Sequence, residues 1–179
     1  GVVVATVDGM LTRTIPGDIF RASSVTLRCG DEPGISGLCE RLIACGYRRC
    51  DQVEGTGQFA VRGGIVDFYS PSFSSPVRCE FFGDEIDSMG LFDVSTQRRL
   101  ENIFQADILP CAESLPSLCS GGEAAFADRL EKLIEKQKRR KKPNEQLIAS
   151  LSADLERLRA QLPFSTADRY MPLIYDSFE

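Results

Sequence analysis

Four clusters in this 179-residue chain hold residue types able to do chemistry. Gly55-Thr56-Gly57-Gln58-Phe59-Ala60 fits G-x-G-x-x-A, a pattern in which backbone N–H groups at a helix N-terminus hold a dinucleotide pyrophosphate. Asp84, Glu85 and Asp87 crowd three carboxylates into one short stretch, as a glycosidase pair or a divalent-cation site would. The run Lys136-Gln137-Lys138-Arg139-Arg140-Lys141-Lys142 could neutralise nucleic-acid phosphates. Arg49, Arg62, Arg78 and Glu80 offer planar, weakly hydrated guanidinium donors and a carboxylate on strand-like patterns, which suits recognition of another protein.

The elements around each cluster decide which chemistry is open to it. A strand pattern, not a helix, follows Ala60, so Gly55–Ala60 reads as a turn entering a strand. The three carboxylates fall in a Gly83-containing hairpin turn and match no Ca²⁺-loop spacing, so they read as solvated turn residues. Helical geometry spreads the basic run around the cylinder with no aromatic residue among its charges. A solvated helix end favoured by the helix dipole is therefore expected, with nucleic-acid contact by Lys138, Arg139, Arg140, Lys141 and Lys142 as the alternative. Arg78 and Glu80 are two apart on one strand and project from the same face, while Val77, Cys79 and Phe81 face the other way. Arg62 lies on a neighbouring strand pattern, and Arg49, just past a helix end, is placed to reach the same surface. These residues form either a recognition surface or an internal Arg–Glu lattice, and pattern alone leaves both open.

Composition removes further possibilities. With no His, imidazole acid–base chemistry, Ser-His-Asp and Cys-His triads and H-E-x-x-H zinc sites are excluded. No Gly is followed by Lys, so there is no Walker A loop, and catalysis of ATP hydrolysis by these residues is not expected. The seven cysteines include no C-x-x-C pair and are expected to be reduced, buried thiols without a metal. With no secretory signal and no apolar run of membrane-spanning length, a soluble, cytoplasmic protein is expected, with no membrane partner. The net charge of −5 argues against wholesale nucleic-acid wrapping. All five lysines lie between residues 132 and 142; residues 1–121 carry ten Arg, no Lys and sixteen acidic residues. Arginine is the only cation available there.

Along the chain, Gly1–Val7 reads as a buried strand and Gly9–Arg13 as a short helix, the end of a truncated α/β unit. Val25–Arg28 is a strand. Asp31-Glu32-Pro33 opens a helix with Ile35, Leu38, Leu42 and Cys45 on one stripe, stopped by Gly46. Gln58–Tyr69 alternates with a period of two, interrupted at Gly63-Gly64 by a bulge or close approach. Strands are expected at Val77–Phe82, Ile86–Val94 and Phe104–Leu109. Phe126, Leu130, Leu133 and Ile134 mark one helix, and Leu147, Leu151, Leu155, Leu158 and Leu162 a second that Pro163 ends. The expected fold class is α+β: a small, mainly antiparallel sheet with a packed helix, flanked by the truncated α/β piece and a C-terminal helical hairpin. The divisions are 1–22, 23–115 and 116–179.

Three strings carry a resemblance: Gly46-Tyr47-Arg48-Arg49-Cys50-Asp51-Gln52-Val53, Gly57–Asp67, and Pro76–Ser88. Together they closely resemble the N-terminal, UvrB-homologous region of bacterial transcription-repair coupling factors, over nearly the whole chain and most strongly over residues 46–99. UvrB shares much of this pattern. Phe92-Asp93-Val94-Ser95-Thr96-Gln97-Arg98-Arg99 resembles the coupling factor's F-D-x-x-T-Q-R form rather than UvrB's D-P-L-T-G form, and Asp168-Arg169-Tyr170-Met171-Pro172 lacks UvrB's glycine- and proline-rich stretch. A piece of UvrB itself is the alternative.

The resemblance implies a UvrB domain 2-like module that docks on UvrA, the damage-recognition ATPase, with contacts falling on Arg49, Arg62, Arg78 and Glu80. Ala60 stands where UvrB has a further Arg, so one charged contact is missing. It also implies that this piece of a longer protein holds no cofactor. The ATP- and Mg-dependent motor and the contacts with RNA polymerase and DNA would lie in other domains, one of which masks the module.

Overall fold

The computed structural model describes residues 4, 6, 14–160, 162 and 167–176. The expected strand at Gly1–Val7 and helix at Gly9–Arg13 lie outside the described residues apart from positions 4 and 6. The chain forms two compact units, one of residues 20–115, the other of 1–19 together with 116–179. A short helix, α1 (Gly17–Ser23), spans the junction in sequence.

The first unit is built on β1 (Val25–Arg28), α2 (Gly34–Ala44), β2 (Arg48–Arg49), β3 (Gln58–Arg62), β4 (Ile65–Phe68), β5 (Val77–Phe82), β6 (Glu85–Phe92), β7 (Arg99–Ile103) and β8 (Gln105–Ile108). Strands β2 to β7 form a six-stranded sheet in sequence order, antiparallel except for the parallel β2–β3 pair, while β1 and β8 form a separate two-stranded ribbon. Phe59, Val66, Phe68, Val77, Cys79, Ile86 and Met89 line one face of the sheet and pack with Leu38 and Leu42 of α2, all essentially excluded from solvent. Burying these side chains drives the fold at roughly 25 cal/mol per Å² of apolar surface. Apolar stripe and strand alternation thus meet in one core, and the expected α+β class with its mainly antiparallel sheet is borne out.

Several local expectations change. Gly63-Gly64 is a two-residue hairpin turn between β3 and β4, with Arg62 facing Ile65, rather than a bulge within one long strand. Gly63 takes φ 58°, which glycine adopts without steric cost. The strand expected at Phe104–Leu109 exists as β8 but pairs with β1, outside the main sheet. Strands β2 and β7 carry no alternation that pattern reading could use. Helix α2 starts at Gly34, whose N–H donates to the Asp84 carbonyl (3.0 Å), so the carboxylate-rich turn closes on the helix start.

In the second unit, α3 (Gly122–Lys138) and α4 (Glu145–Arg159) pack through Phe126, Leu130, Ile134, Leu151, Leu155 and Leu158, giving the expected pair of C-terminal helices. Asn144 caps α4 by accepting the Leu147 N–H at 3.0 Å. Leu162, expected on the buried stripe, lies past the helix end and is exposed. A short helix, α5 (Met171–Ile174), joins this core. Asp154, nearly buried, accepts hydrogen bonds from the Tyr170 hydroxyl (2.7 Å) and from Arg169, and burial pushes that hydroxyl's pKa up to about 12.

Gly46 ends α2 with φ 85°, and a Cβ there would stand 2.7 Å from Leu115 Cδ2. Gly46→Ala combines left-handed backbone strain with crowding and should lower stability by about 1–3 kcal/mol. Urea unfolding of the variant beside the parent chain measures this.

Candidate protein interface

The side of the sheet away from α2 is polar and rests on a small apolar floor of Val53, Ala60 and Phe92. Its centre is Asp67 on β4, with 2% of its side chain exposed. Arg78 grips this carboxylate in bidentate fashion, Nε donating to Oδ1 at 2.7 Å and Nη2 to Oδ2 at 2.9 Å. Arg62 Nη2 donates to the same Oδ2 at 2.8 Å. The register explains the convergence: Asp67 faces Arg78 on β5 and Ala60 on β3. Ala60 is buried, and its methyl group leaves Asp67 to the two arginines. Hydrogen bonding to Asp67 raises the Arg78 pKa above the usual guanidinium value. The Arg78 guanidinium also lies 4.4 Å from the Phe92 ring centroid, a cation–π contact.

The loop between β6 and β7 covers this cluster. Gln97 accepts from Arg78 with its main-chain carbonyl (3.3 Å) and its amide oxygen (3.3 Å), and that amide oxygen also accepts from Arg62 (3.4 Å). Asp93 organises the loop by accepting from Ser95 Oγ (2.6 Å), the Thr96 N–H (2.8 Å) and Thr96 Oγ1 (2.8 Å). These bonds, that from Ser95 first, hold the Asp93 carboxyl down to about 2.

A second pair flanks the first. Glu80 accepts from Ser88 Oγ at 2.9 Å and pairs with Arg99 at 3.1 Å. Gly90, between the two clusters, leaves room for Arg99, since a Cβ there would meet its Nε at 2.8 Å. Phe82 ends β5 on the alternation Arg78, Glu80, Phe82 and is 81% exposed, whereas its neighbour Phe81 packs on the core.

Arg62, Arg78 and Glu80 therefore share one face, but they are not equally free. Arg78 is 15% exposed and committed to Asp67, while Arg62, paired with the same carboxylate, and Glu80, paired with Arg99, are 46% and 44% exposed. The internal lattice of the pattern is present, built on Asp67 as well as Glu80, and part of it is open to solvent. Arg49 does not join them. It registers with Phe59, a core-side residue, and its charge acts on Cys39 of α2, so it stands at the sheet edge on the helix side. Arg48 registers with Gln58, and its charge acts on Cys50, beside the polar floor. A two-residue strand shows no alternation, so the chain pattern could not phase these two arginines. Asp67, Gln97, Arg48, Arg99 and Phe82 escaped the sequence reading. A lone carboxylate inside the apolar strand Ile65-Val66-Asp67-Phe68 was the one signal available.

The remaining candidates take simple places. Gly57 leads directly into β3, not a helix. Asp84, Glu85 and Asp87 are exposed. Lys138 ends α3 and pairs with Glu135 at 3.0 Å, and Arg139, Arg140, Lys141 and Lys142 are exposed at and beyond the helix end. Among the described residues no group of His, Cys, Asp and Glu could hold a metal ion, and no helix is long and apolar enough to cross a membrane.

Comparison with known proteins places the sheet. Residues 25–113, which contain it and the β1–β8 ribbon, match the UvrB interaction domain. This segment belongs to that family. The transcription-repair-coupling factor of Mycobacterium bovis is 43% identical over 103 residues, 58% of this chain and 8% of that protein. That of Bacillus subtilis is 30% identical over 182 residues, covering 98% of this chain and 15% of that protein. The Escherichia coli factor is 34% identical over 113 residues, 63% of this chain and 10% of that protein. The resemblance read from residues 46–99 is borne out, and the chain spans between 8% and 15% of these curated relatives. Within the UvrB interaction domain of this chain, the polar face brings Arg62 and Arg78 onto Asp67 and Arg99 onto Glu80.

Two predictions follow from the geometry. Asp67→Ala leaves Arg78 largely buried without its counter-charge and should cost about 3 kcal/mol of stability, much of it recovered in the double variant with Arg78→Met, as denaturant titration will show. The Asp93 pKa is lowered by folding, so its contribution is fully present above the unfolded value near 3.9 and is lost as pH falls from there through about 2. A carboxyl-carbon NMR titration should place the Asp93 inflection near 2.

Proposed function

We propose that this chain is a docking module of a transcription-repair coupling factor, which binds UvrA through the polar face of the sheet and so brings it to RNA polymerase stalled at DNA damage. The UvrB interaction domain is a module rather than a catalytic domain, and no chemistry is assigned to it. The observation that carries the proposal is the Asp67-centred arginine cluster on that domain, with half-exposed Arg62 at its open side.

The face has the parts of an interface. Phe82 supplies an exposed aromatic anchor two residues from Glu80, Arg62 supplies free guanidinium surface, and aromatic and arginine side chains dominate binding hot spots. Arg78 works from beneath, holding Asp67 and, through it, Arg62. Arg49, on the helix side of the β2 edge, is reached by a partner that wraps this edge. In the intact factor the ATP- and Mg-dependent motor, the polymerase and DNA contacts and a domain masking this face lie in other segments, and the protein works in the cytoplasm. The basic residues 138–142 are left as solvated charge around a helix end.

Titration of the chain with UvrA tests the reading. Arg62→Ala and Phe82→Ala should each weaken binding by about 1–3 kcal/mol, roughly five- to a hundred-and-fiftyfold, with little change in unfolding midpoint for Phe82→Ala and a modest fall for Arg62→Ala, which leaves Asp67 its two bonds from Arg78. Arg78→Glu should abolish binding and also lower stability, because it sets a second carboxylate against Asp67. Binding of Arg62→Ala and Phe82→Ala at wild-type strength would remove this face from the role.

A further inference from the structure

Gln97 is the one non-glycine among the described residues with a left-handed backbone, at φ 60°. Side chains bear a conformational penalty there, and such outliers persist where the surroundings over-determine them and some use is made of the position. Glycine would take this conformation without penalty. What a glycine would lack is the amide side chain, and that side chain is fully engaged. Its nitrogen donates to the Val94 carbonyl at 2.8 Å, and its oxygen accepts from both Arg62 and Arg78. The backbone is pinned as well: the Gln97 N–H donates to the Asp93 carbonyl (2.8 Å) and the Asp93 N–H to the Arg98 carbonyl (2.9 Å).

We propose that Gln97 is a positioning residue of the docking face, which fixes the guanidinium plane of Arg62 before a partner arrives. The consequence for binding rests on the docking reading above. Arg78 needs little such help, since Asp67 holds it by two bonds and Phe92 lies beneath it. Arg62 is the contrasting case. Only its Nη2 is engaged, by Asp67 Oδ2 and by the Gln97 amide oxygen, and half of the side chain is exposed. A single bond to Asp67 leaves a long side chain free to rotate about that contact. A second acceptor on another element sets its orientation and leaves Nε and Nη1, which have no partner among the described residues, to meet an acceptor on the partner. Ordering a long side chain ahead of binding removes a cost that would otherwise fall on association.

The loop is built to hold that one oxygen in place. The turn centred on Asp93, with its carboxylate saturated by Ser95 and Thr96, carries Gln97 back over β3 and β5. Asp93, Thr96 and Gln97 thus have roles without touching a partner, Asp93 and Thr96 shaping the turn and Gln97 holding the arginine.

Gln97→Gly tests this sharply, because it relaxes the backbone and keeps the main-chain acceptor for Arg78 while removing only the amide. The unfolding midpoint should stay or rise. The ¹⁵N relaxation of the Arg62 Nε–Hε group in the free chain should show lost order, and affinity for UvrA should fall about three- to tenfold. Should Gln97→Gly not fold, Gln97→Asn, whose shorter amide tolerates the left-handed backbone, takes its place. Unchanged Arg62 order in the glycine variant, or lost order with unchanged UvrA affinity, overturns the proposal. If the unaltered chain fails to bind UvrA, the docking reading falls, and the relaxation measurement still decides whether Gln97 positions Arg62.

Discussion

A carboxylate almost wholly removed from water has to be met by donors, and in this protein that requirement organises one whole side of a sheet. Asp67 takes its three described hydrogen bonds from two arginines on the strands flanking its own. Those arginines in turn fix the loop between β6 and β7 through Gln97. One charge therefore ties together β3, β4, β5 and a hairpin loop that the hydrophobic core does not hold. The core on the opposite face supplies the driving force for folding. The Asp67 cluster supplies little net stability, because desolvation offsets its attraction, but it determines how the arginines are presented.

That division of labour accounts for the charge distribution. The module is acidic overall and contains no lysine, and the paired carboxylates of its polar face, Asp67 and Glu80, are met by three arginines. A lysine at position 78 could not grip both oxygens of Asp67 while lying over Phe92, because a single ammonium has neither the fork nor the plane. Arginine is also the cation that keeps donors to spare after forming an internal pair, so one residue can be structural on one side and available on the other. Arg62 is in that position, and Arg78 is almost entirely internal.

Much of this architecture was legible in the chain, for definite reasons. Helix α2 announced itself by a stripe ending at Gly46, and β5 and β6 by alternation around Gly83, because apolar period and turn chemistry agree there. Where long-range pairing decides, the chain was silent. Arg99 to Ile103 carries no apolar alternation and is a strand only because β6 offers it an edge. The parity of Arg48 and Arg49 depends on a two-residue pairing with β3. Gln97 adopts a backbone that sequence signals associate with Gly or Asn, and only its contacts with two arginines distant in sequence explain it. Asp67 was visible as an anomaly, but its role depends on partners five and eleven residues away that meet it through the sheet.

The ribbon of β1 and β8 bears on how such a module can live inside another fold. Residues 20–115 interrupt a unit made of 1–19 and 116–179, and an unstructured insert of that length would burden the host with the entropy of closing a long loop. Antiparallel pairing sets Val25 opposite Ile108, so the folded insert itself brings residues 25 and 108 to within a strand spacing, about 5 Å. Once the insert has folded, the ribbon has closed most of that loop, and only residues 20–24 and 109–115 remain outside the paired strands at its two ends. Most of the closure has been moved from the host to the guest, and the six-stranded sheet can vary in sequence without altering the ribbon that makes it.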